Sequence, residues 1–231
     1  MKIKTVISFL SLLLAILMCA SCTSGENVFS YNSENGAVVD QKTGTEYLAA
    51  SSYEAKKRSA EPYATVMLGG AINTPLYLVG DEDPIKLLCD EDEIIYCSSS
   101  VTLPTLPEMN PNKIYICEGR DGDFASASID GADEIAEIID TYMNGESIVY
   151  PATGAESIYS LKFSSDEYPS YYYSFLYIEY SEEVYSYGDD GVDRPCGKNF
   201  FYNRFEGRFV PAGDLISRHF LDNIEPEDSG S

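Results

Sequence analysis

The sequence predicts an α+β fold, with a mostly antiparallel β-sheet, one main amphipathic helix at about residues 131–144 and a short C-terminal helix. Three observations lead to this prediction. From residue 63 onward, short apolar runs are separated by Gly, Pro, Asn and acidic residues, a pattern typical of strands and turns. One long segment instead has the periodicity of a helix. With 231 residues, of which 44% are hydrophobic, the chain is long enough to bury a core.

Composition divides the chain into a short series of segments. The part that precedes residue 37 is first apolar and then polar with many turn-forming residues, and a hairpin with Lys42-Thr43-Gly44 in its turn follows. We expect a signal peptide (1–21), a flexible tether (22–36), a hairpin with a polar connector (37–62), a single α+β domain (63–225) and an acidic tail (226–231).

The N-terminal segment has the features of an export signal. Lys2 and Lys4 precede an apolar stretch from Val6 to Ala20, which is shorter than the roughly 20 residues that a membrane-spanning helix needs. The motif Cys19-Ala20-Ser21-Cys22 at its end resembles the lipobox of bacterial lipoprotein signal peptides. The resemblance implies cleavage before Cys22 and acylation of its thiol, which would anchor the protein in the lipid bilayer on the outer face of the cell membrane.

Two other interpretations of this segment are an ordinary cleaved signal without lipid and an uncleaved anchor helix, and each gives a different mature mass. In its signal, its tether and the sequence DQKTGTEY, the chain resembles the small surface lipoproteins of Gram-positive anaerobes. This resemblance covers mainly the first 50 residues and implies no particular activity.

The main helix is predicted by five apolar residues that share one face, namely Ile135, Ile138, Ile139, Tyr142 and Met143. Asp130 is the predicted N-cap, and Asn144 with Gly145 supplies the stop. The helix follows the strand-like sequence FASASI and precedes the strand-like sequence SIVYP. We therefore expect one helix packed on the sheet, either beside antiparallel strands or within a parallel β-helix-β crossover.

The segment from residue 168 to residue 188 contains eight of the 19 tyrosines. In an extended strand that starts at Tyr171, one face presents Tyr171, Tyr173, Phe175 and Tyr177. On one interpretation, Tyr171, Tyr173 and Tyr177 bind a ligand as a stacking platform for sugar rings. On the other interpretation, these rings pack the sheet against the helix, and the absence of tryptophan favours packing.

Four cysteines follow the signal segment, namely Cys89, Cys97, Cys117 and Cys196, and four cysteines allow three pairings. A hairpin across residues 90–93 would place Cys89 opposite Ile94 and Cys97 opposite Lys86, a register that argues against a bridge between these two cysteines. A bridge between Cys97 and Cys117 requires neighbouring strands. Free buried thiols are the alternative.

Charge and residue counts exclude several function classes. The 38 acidic and 15 basic residues give a net charge of −23, which is unfavourable for binding to phosphate backbones, so nucleic acid is not an expected partner. His219 is the only histidine, which rules out sites with several histidine ligands. The acidic groups at Asp121 with Asp123 and at Asp189 to Asp193 do not fit the spacing of an EF-hand. We predict no catalytic residues, no metal and no cofactor.

These observations predict a noncatalytic binding or interaction module on the cell surface. The sequence does not identify its ligand, and the candidates are a glycan, another cell-wall component and a surface protein. The alternatives are a hydrolase that acts through carboxylates and an accessory subunit of a membrane protein complex. An exposed row of tyrosines would favour binding, a cleft with two facing acids would favour hydrolysis, and a large exposed apolar patch would favour the accessory subunit.

The lipobox interpretation predicts that Cys22→Ser in the full chain abolishes lipid attachment, because serine has no thiol to acylate. Intact mass spectrometry of membrane-extracted protein should show the wild type without residues 1–21 and with added acyl chains. Cell fractionation should find the variant outside the membrane fraction. A wild-type mass that lacks both the cleavage and the lipid would contradict this interpretation.

Overall fold

The computed structural model describes residues 27–68, 72–80, 85–119, 124–151, 154–187 and 192–221. Within these residues, 52% of the chain lies in strands and 9% in helices, and 13 strands join in one mixed sheet. The α+β prediction is therefore wrong, and the fold is mainly β. One reason is that the early, largely polar part of the chain adds three strands to the sheet.

The first seven strands close into a ring. They are β1 (Asn27–Asn32), β2 (Ala37–Asp40), β3 (Glu46–Ala55), β4 (Ala64–Leu68), β5 (Ile72–Leu78), β6 (Leu87–Cys89) and β7 (Ile94–Ser98). Neighbouring strands pair in the order β1-β4-β5-β6-β7-β3-β2, and the pairing of β2 with β1 closes the ring. Strands β1 and β4 run parallel, whereas the other pairs of the ring are antiparallel.

The ring has a core of its own. Each of its seven strands contributes to one buried cluster, which consists of Phe29, Val38, Tyr47, Ala64, Val66, Leu76, Leu88 and Tyr96. Residues 27–36, at the end of the predicted tether, include β1, which pairs with β2 and β4 and contributes Phe29 to this core. The domain boundary predicted at residue 63 falls inside the ring.

The rest of the chain extends the sheet and adds two helices. The elements are β8 (Lys113–Glu118), β9 (Ala125–Ile129), α1 (Ala132–Asn144), β10 (Ser157–Ser164), β11 (Tyr171–Tyr187), β12 (Asp193–Asn203), β13 (Arg208–Pro211) and α2 (Arg218–Leu221). The sheet continues from the ring in the order β3-β11-β10-β8-β9, and β12 lies between β11 and β13. Helix α1 connects β9 to β10, which run parallel on either side of β8. The residues of SIVYP form no strand.

A bulge in β3 joins the ring to the rest of the sheet. Up to Ala50, β3 pairs with β7, and the next residue of β3 that pairs with β7 is Glu54, opposite Ile94, so the three residues 51–53 interrupt this ladder. From Tyr53 to Ala55, the opposite edge of β3 pairs with the start of β11. One strand is thus shared by the ring and by the larger sheet.

Helix α1 covers one face of the larger sheet with Ile135, Ile138 and Tyr142, which belong to the main core cluster. Its N-cap is Gly131 without a side-chain hydrogen bond, so the predicted cap by Asp130 is not formed. The helix ends at Gly145, where an added Cβ would lie 2.3 Å from Val210 Cγ1. A glycine is needed there because the chain approaches β13 too closely for a side chain.

Two charged groups attach other elements to α1. The Arg208 guanidinium donates hydrogen bonds to the carbonyl oxygens of Tyr142, Met143 and Gly145 at 2.8, 3.1 and 3.2 Å, which satisfies the C-terminal end of the helix. The carboxylate of Glu134 contacts Arg218 and lies 2.8 Å from His219 Nε2. The lone histidine thus helps to hold α2 against α1.

The four cysteines of the described residues form no disulfide. Cys89 lies opposite Ile95 and Cys97 opposite Leu87, one residue away from the predicted register, because the turn contains Glu93 in the left-handed region at φ 62°. Strands β3, β11 and β10 separate β7 from β8, so Cys97 and Cys117 are not on neighbouring strands. Burial raises the pKa of the Cys89 thiol to about 12.

The ring interior should behave as a core in unfolding experiments. Leu88→Ala removes a side chain that is fully buried there and should lower the free energy of unfolding by about 2–5 kcal/mol. Leu48→Ala is the matched control, since Leu48 in β3 is 44% exposed, and should cost about 1 kcal/mol or less. Urea denaturation of the full chain followed by circular dichroism measures both. Equal losses would show that the ring has no packed interior.

Candidate functional site

The three tyrosines predicted as a stacking platform are buried. Tyr171, Tyr173 and Tyr177 are only 6%, 4% and 0% exposed and belong to the main core cluster, because α1 covers this face of β11. The Tyr142 ring from α1 stacks on Phe175 with 4.2 Å between ring centroids. The predicted face of the strand is correct, but it packs the helix and forms no exposed row of rings.

A cleft of about 560 Å³ lies beside the start of β11. Its volume is in the range of roughly 300–1,000 Å³ that small-molecule sites occupy. Three parts of the chain line it: residues 79–80 and 86–87 at the ends of β5 and β6, the loop at residues 101–108, and residues 167–171 at the turn between β10 and β11. Of the three predicted tyrosines, Tyr171 lines this cleft.

The cleft combines aromatic and polar surface. The Tyr168 ring is half-buried and lies 5.7 Å from the Tyr171 ring, measured between centroids, and their planes are tilted by 36°. Further apolar surface comes from Leu87, Leu103, Pro104 and Pro169, and polar groups come from Lys86, Glu108, Glu167 and Ser170. Rings with a polar tip beside hydrogen-bonding groups suit a ligand with an apolar face and polar edges, such as a sugar.

The loop at residues 101–108 continues into a tight turn that the core holds in place. Leu106 and Met109 are 1% and 0% exposed and anchor the turn in the main core cluster. The backbone N–H and the hydroxyl of Thr105 both donate to Glu108 Oε2 at 2.8 Å. Asn110 ends the turn in the left-handed region at φ 48°.

Hydrogen bonds connect this loop to the other walls. Asn110 Nδ2 donates to Glu167 Oε1 at 3.2 Å, and Asn112 Nδ2 donates to Asp166 Oδ2 at 2.8 Å. On the other side of the loop, the Tyr53 hydroxyl donates to the carbonyl oxygen of Pro104. The loop and the turn between β10 and β11 are therefore fixed to each other without a ligand, and these two walls of the cleft are preformed.

Two carboxylates line the cleft, Glu108 and Glu167, so the hydrolase alternative has candidates for its acid pair. The two hydrogen bonds from Thr105 lower the pKa of Glu108 and favour its ionised form. A glycosidase general acid instead needs a raised pKa, so that it holds a proton at neutral pH. Glu108 is therefore suited to accept hydrogen bonds and unsuited to donate a proton.

A second, smaller cleft of about 320 Å³ lies on the other side of the same loop. Thr105 and Leu106 line it from the loop, and Tyr53, Tyr173 and Glu206 line it from the sheet. The hydroxyls of Tyr142 and Tyr173 both donate to the Glu206 carboxylate. Burial raises the pKa of Tyr53 to about 12 and also raises the pKa of Tyr142 and Tyr173, so these hydroxyls stay protonated.

The sequence did not single out three residues that the clefts bring together. Tyr168 lies in the turn before the strand, although its place within the tyrosine-rich segment was a usable signal. Tyr53 lies in the segment predicted as a polar connector, and Glu206 lies in the turn predicted between two strands. Of the predicted acidic groups, Asp121, Asp123, Asp189 and Asp190 lie outside the described residues, as do Cys22 and the acidic tail.

Among the described residues, no group of three His, Cys, Asp or Glu side chains could hold a metal ion. No helix in the described part of the chain has the length and apolar character to cross a bilayer. No protein-family model matches the sequence, and comparisons with curated proteins and with solved structures find no match.

The hydrogen bonds at Glu108 lead to a prediction about its titration. In the folded protein its carboxyl should titrate below the ordinary glutamate value of about 4.3, and Thr105→Val should raise the midpoint because it removes the hydroxyl donor and keeps the backbone N–H. Carboxyl-detected NMR titration of both proteins measures this. A titration midpoint above the ordinary glutamate value in the wild type would contradict this prediction and would make Glu108 a candidate general acid.

Proposed function

We propose that this chain is a noncatalytic binding module that holds a glycan in the larger cleft. The observation that carries the proposal is the half-buried Tyr168 ring, which lies in a preformed cleft beside hydrogen-bonding side chains. A sugar ring placed against Tyr168 would gain apolar contact on one face. Its hydroxyls would reach the carboxylates and hydroxyls of the walls.

The charges of the cleft favour a neutral glycan over an acidic one. Glu108 and Glu167 accept hydrogen bonds from sugar hydroxyls, and Lys86 donates one to a ring or hydroxyl oxygen. The net charge of −23 repels acidic polysaccharides, which carry the same sign. We expect uncharged hexose or N-acetylhexosamine units.

The proposed lipid anchor places this cleft close to a membrane. Asn27, the first residue of β1, is five residues from Cys22, and five fully extended residues span at most roughly 18 Å. With Cys22 acylated on the outer face of the cell membrane, the start of β1 would lie within about 18 Å of the lipid headgroups. The glycan would then belong to the cell envelope or to a polymer that reaches the cell surface.

The binding proposal predicts that Tyr168→Ala weakens glycan affinity about tenfold, because the variant loses the ring surface against which the sugar lies. Isothermal titration calorimetry of the full chain with cellotetraose, maltotetraose and the tetramer of N-acetylglucosamine measures this loss. Tyr185→Ala is the matched control, since Tyr185 is 60% exposed and does not line the cleft, and it should bind like the wild type.

Three outcomes would contradict the proposal. One is that the wild type binds none of the three oligosaccharides, and another is that both tyrosine variants bind equally well. The third is that the wild type cleaves an oligosaccharide during the titration, which would favour the hydrolase alternative.

A further inference from the structure

We infer that the smaller cleft is a second subsite, which binds the protonated amine of an amino sugar. The inference rests on the proposed glycan binding and identifies one kind of sugar unit that the protein recognises. Its basis is the Glu206 carboxylate, which two tyrosine hydroxyls fix at the wall of an aromatic cleft.

The hydrogen bonds at Glu206 use only part of the carboxylate. The Tyr142 hydroxyl donates to Oε2 at 2.6 Å, and the Tyr173 hydroxyl donates to Oε1 at 2.5 Å. An ionised carboxylate has about four lone-pair sites, so each oxygen can accept a further hydrogen bond. Because Glu206 also lines the cleft, a donor bound there can reach this remaining capacity.

Within the described residues, Glu206 forms no ion pair with a cationic side chain. The nearby Arg208 uses its Nη2 group to donate to three carbonyl oxygens at the end of α1. The negative charge of Glu206 is therefore available to a cationic ligand. The strongly acidic chain as a whole also attracts cations towards its surface.

Hydrogen bonds within the turn between β12 and β13 fix the position of Glu206. Asn203 Oδ1 accepts hydrogen bonds from the backbone N–H groups of Phe205 and Glu206 at 3.1 and 3.3 Å. Asn203 is 2% exposed, and its Nδ2 donates to Ser52 Oγ in β3 at 3.0 Å. The turn is thus tied to the bulge of β3, and the carboxylate is positioned before any ligand arrives.

The remaining walls fit an ammonium group that is attached to a sugar ring. The Tyr53 and Tyr173 rings lie edge to face, with 5.2 Å between centroids, and both line the cleft. Aromatic rings beside a carboxylate are the combination that favours organic ammonium ions. Ser51 and Ser52 add hydroxyls that can pair with a sugar, and the volume of about 320 Å³ suits a single sugar unit.

Both clefts border the same loop. Leu103, Pro104 and Glu108 line the larger cleft, whereas Thr105 and Leu106 line the smaller one. A polymer that contains both neutral and amino sugars would present suitable units to both clefts. The ligand class that fits both clefts is a glycan in which some of the hexosamine units carry a free amine and the others are neutral.

The test measures binding of glucosamine, N-acetylglucosamine and the lysine analogue Nα-acetyl-lysine methylamide to the full chain, at a mildly acidic pH where the amines are protonated. The site-specific readout is the NMR signal of ¹³C-methyl-labelled methionines. Met143 lines the smaller cleft and is 38% exposed, and Met109 is a fully buried internal control. Met143→Leu identifies the Met143 signal.

We expect glucosamine to shift the Met143 signal and to bind at least tenfold more tightly than N-acetylglucosamine, since acetylation removes the charge. Glu206→Gln keeps the size of the side chain and should weaken glucosamine binding at least tenfold. Glu34→Gln is the matched control, because Glu34 is exposed between β1 and β2 and the substitution changes the net charge equally. It should bind glucosamine like the wild type.

Equal binding of glucosamine and N-acetylglucosamine at Met143 would overturn the inference, as would unchanged glucosamine binding by Glu206→Gln. Binding of the lysine analogue as tightly as glucosamine would show that the cleft recognises the ammonium without the sugar, and would overturn the amino-sugar assignment. The proposal for the larger cleft is tested independently, since Tyr168→Ala should change only the affinity for neutral oligosaccharides and not the binding of glucosamine at Met143.

Discussion

The bulge at residues 51–53 of β3 is the constraint on which both clefts depend. After the bulge, Glu54 pairs with Ile94 of β7 again while the opposite edge of β3 pairs with the start of β11, so the ring and the larger sheet share a continuous backbone. The bulge also places the Tyr53 ring against both Tyr171 and Tyr173, with centroid distances of 5.7 and 5.2 Å. From this position, the Tyr53 hydroxyl holds the loop that separates the two clefts.

A half-buried polar group secures the part of β3 that follows the bulge. Glu54 accepts a hydrogen bond from Ser174 of β11 and lies 2.8 Å from the Lys162 ammonium of β10, so it connects three neighbouring strands. Burial lowers the pKa of Lys162, but the Glu54 carboxylate outweighs burial and raises it. A raised lysine pKa stabilises the fold below the ordinary lysine value, and this contribution is lost as the pH rises through the folded-state pKa. The strand that positions Tyr53 is thus held by charge as well as by its ladder.

Local patterns in the sequence predicted the elements whose contacts are mainly local. Ile135, Ile138 and Tyr142 repeat at helical spacing and do form the buried face of α1, and the alternating tyrosines of β11 do face the helix. Ring closure could not be predicted, because the pairing of β1 with β4 joins distant segments and Phe29 is a single apolar signal in a polar stretch. The clefts could not be predicted either, because Tyr168 and Glu206 lie in turns, where the spacing of residues follows no period.

The most direct test of this account is a crystal structure of the full chain with an oligosaccharide that contains both glucosamine and N-acetylglucosamine units. We expect a sugar ring against Tyr168 in the larger cleft, with its hydroxyls on Glu108 or Glu167, while Tyr53 still contacts Pro104. A sugar bound elsewhere, for example on the opposite sheet face at Tyr172, would contradict the account, as would a rearranged loop at residues 101–108 that closes the cleft.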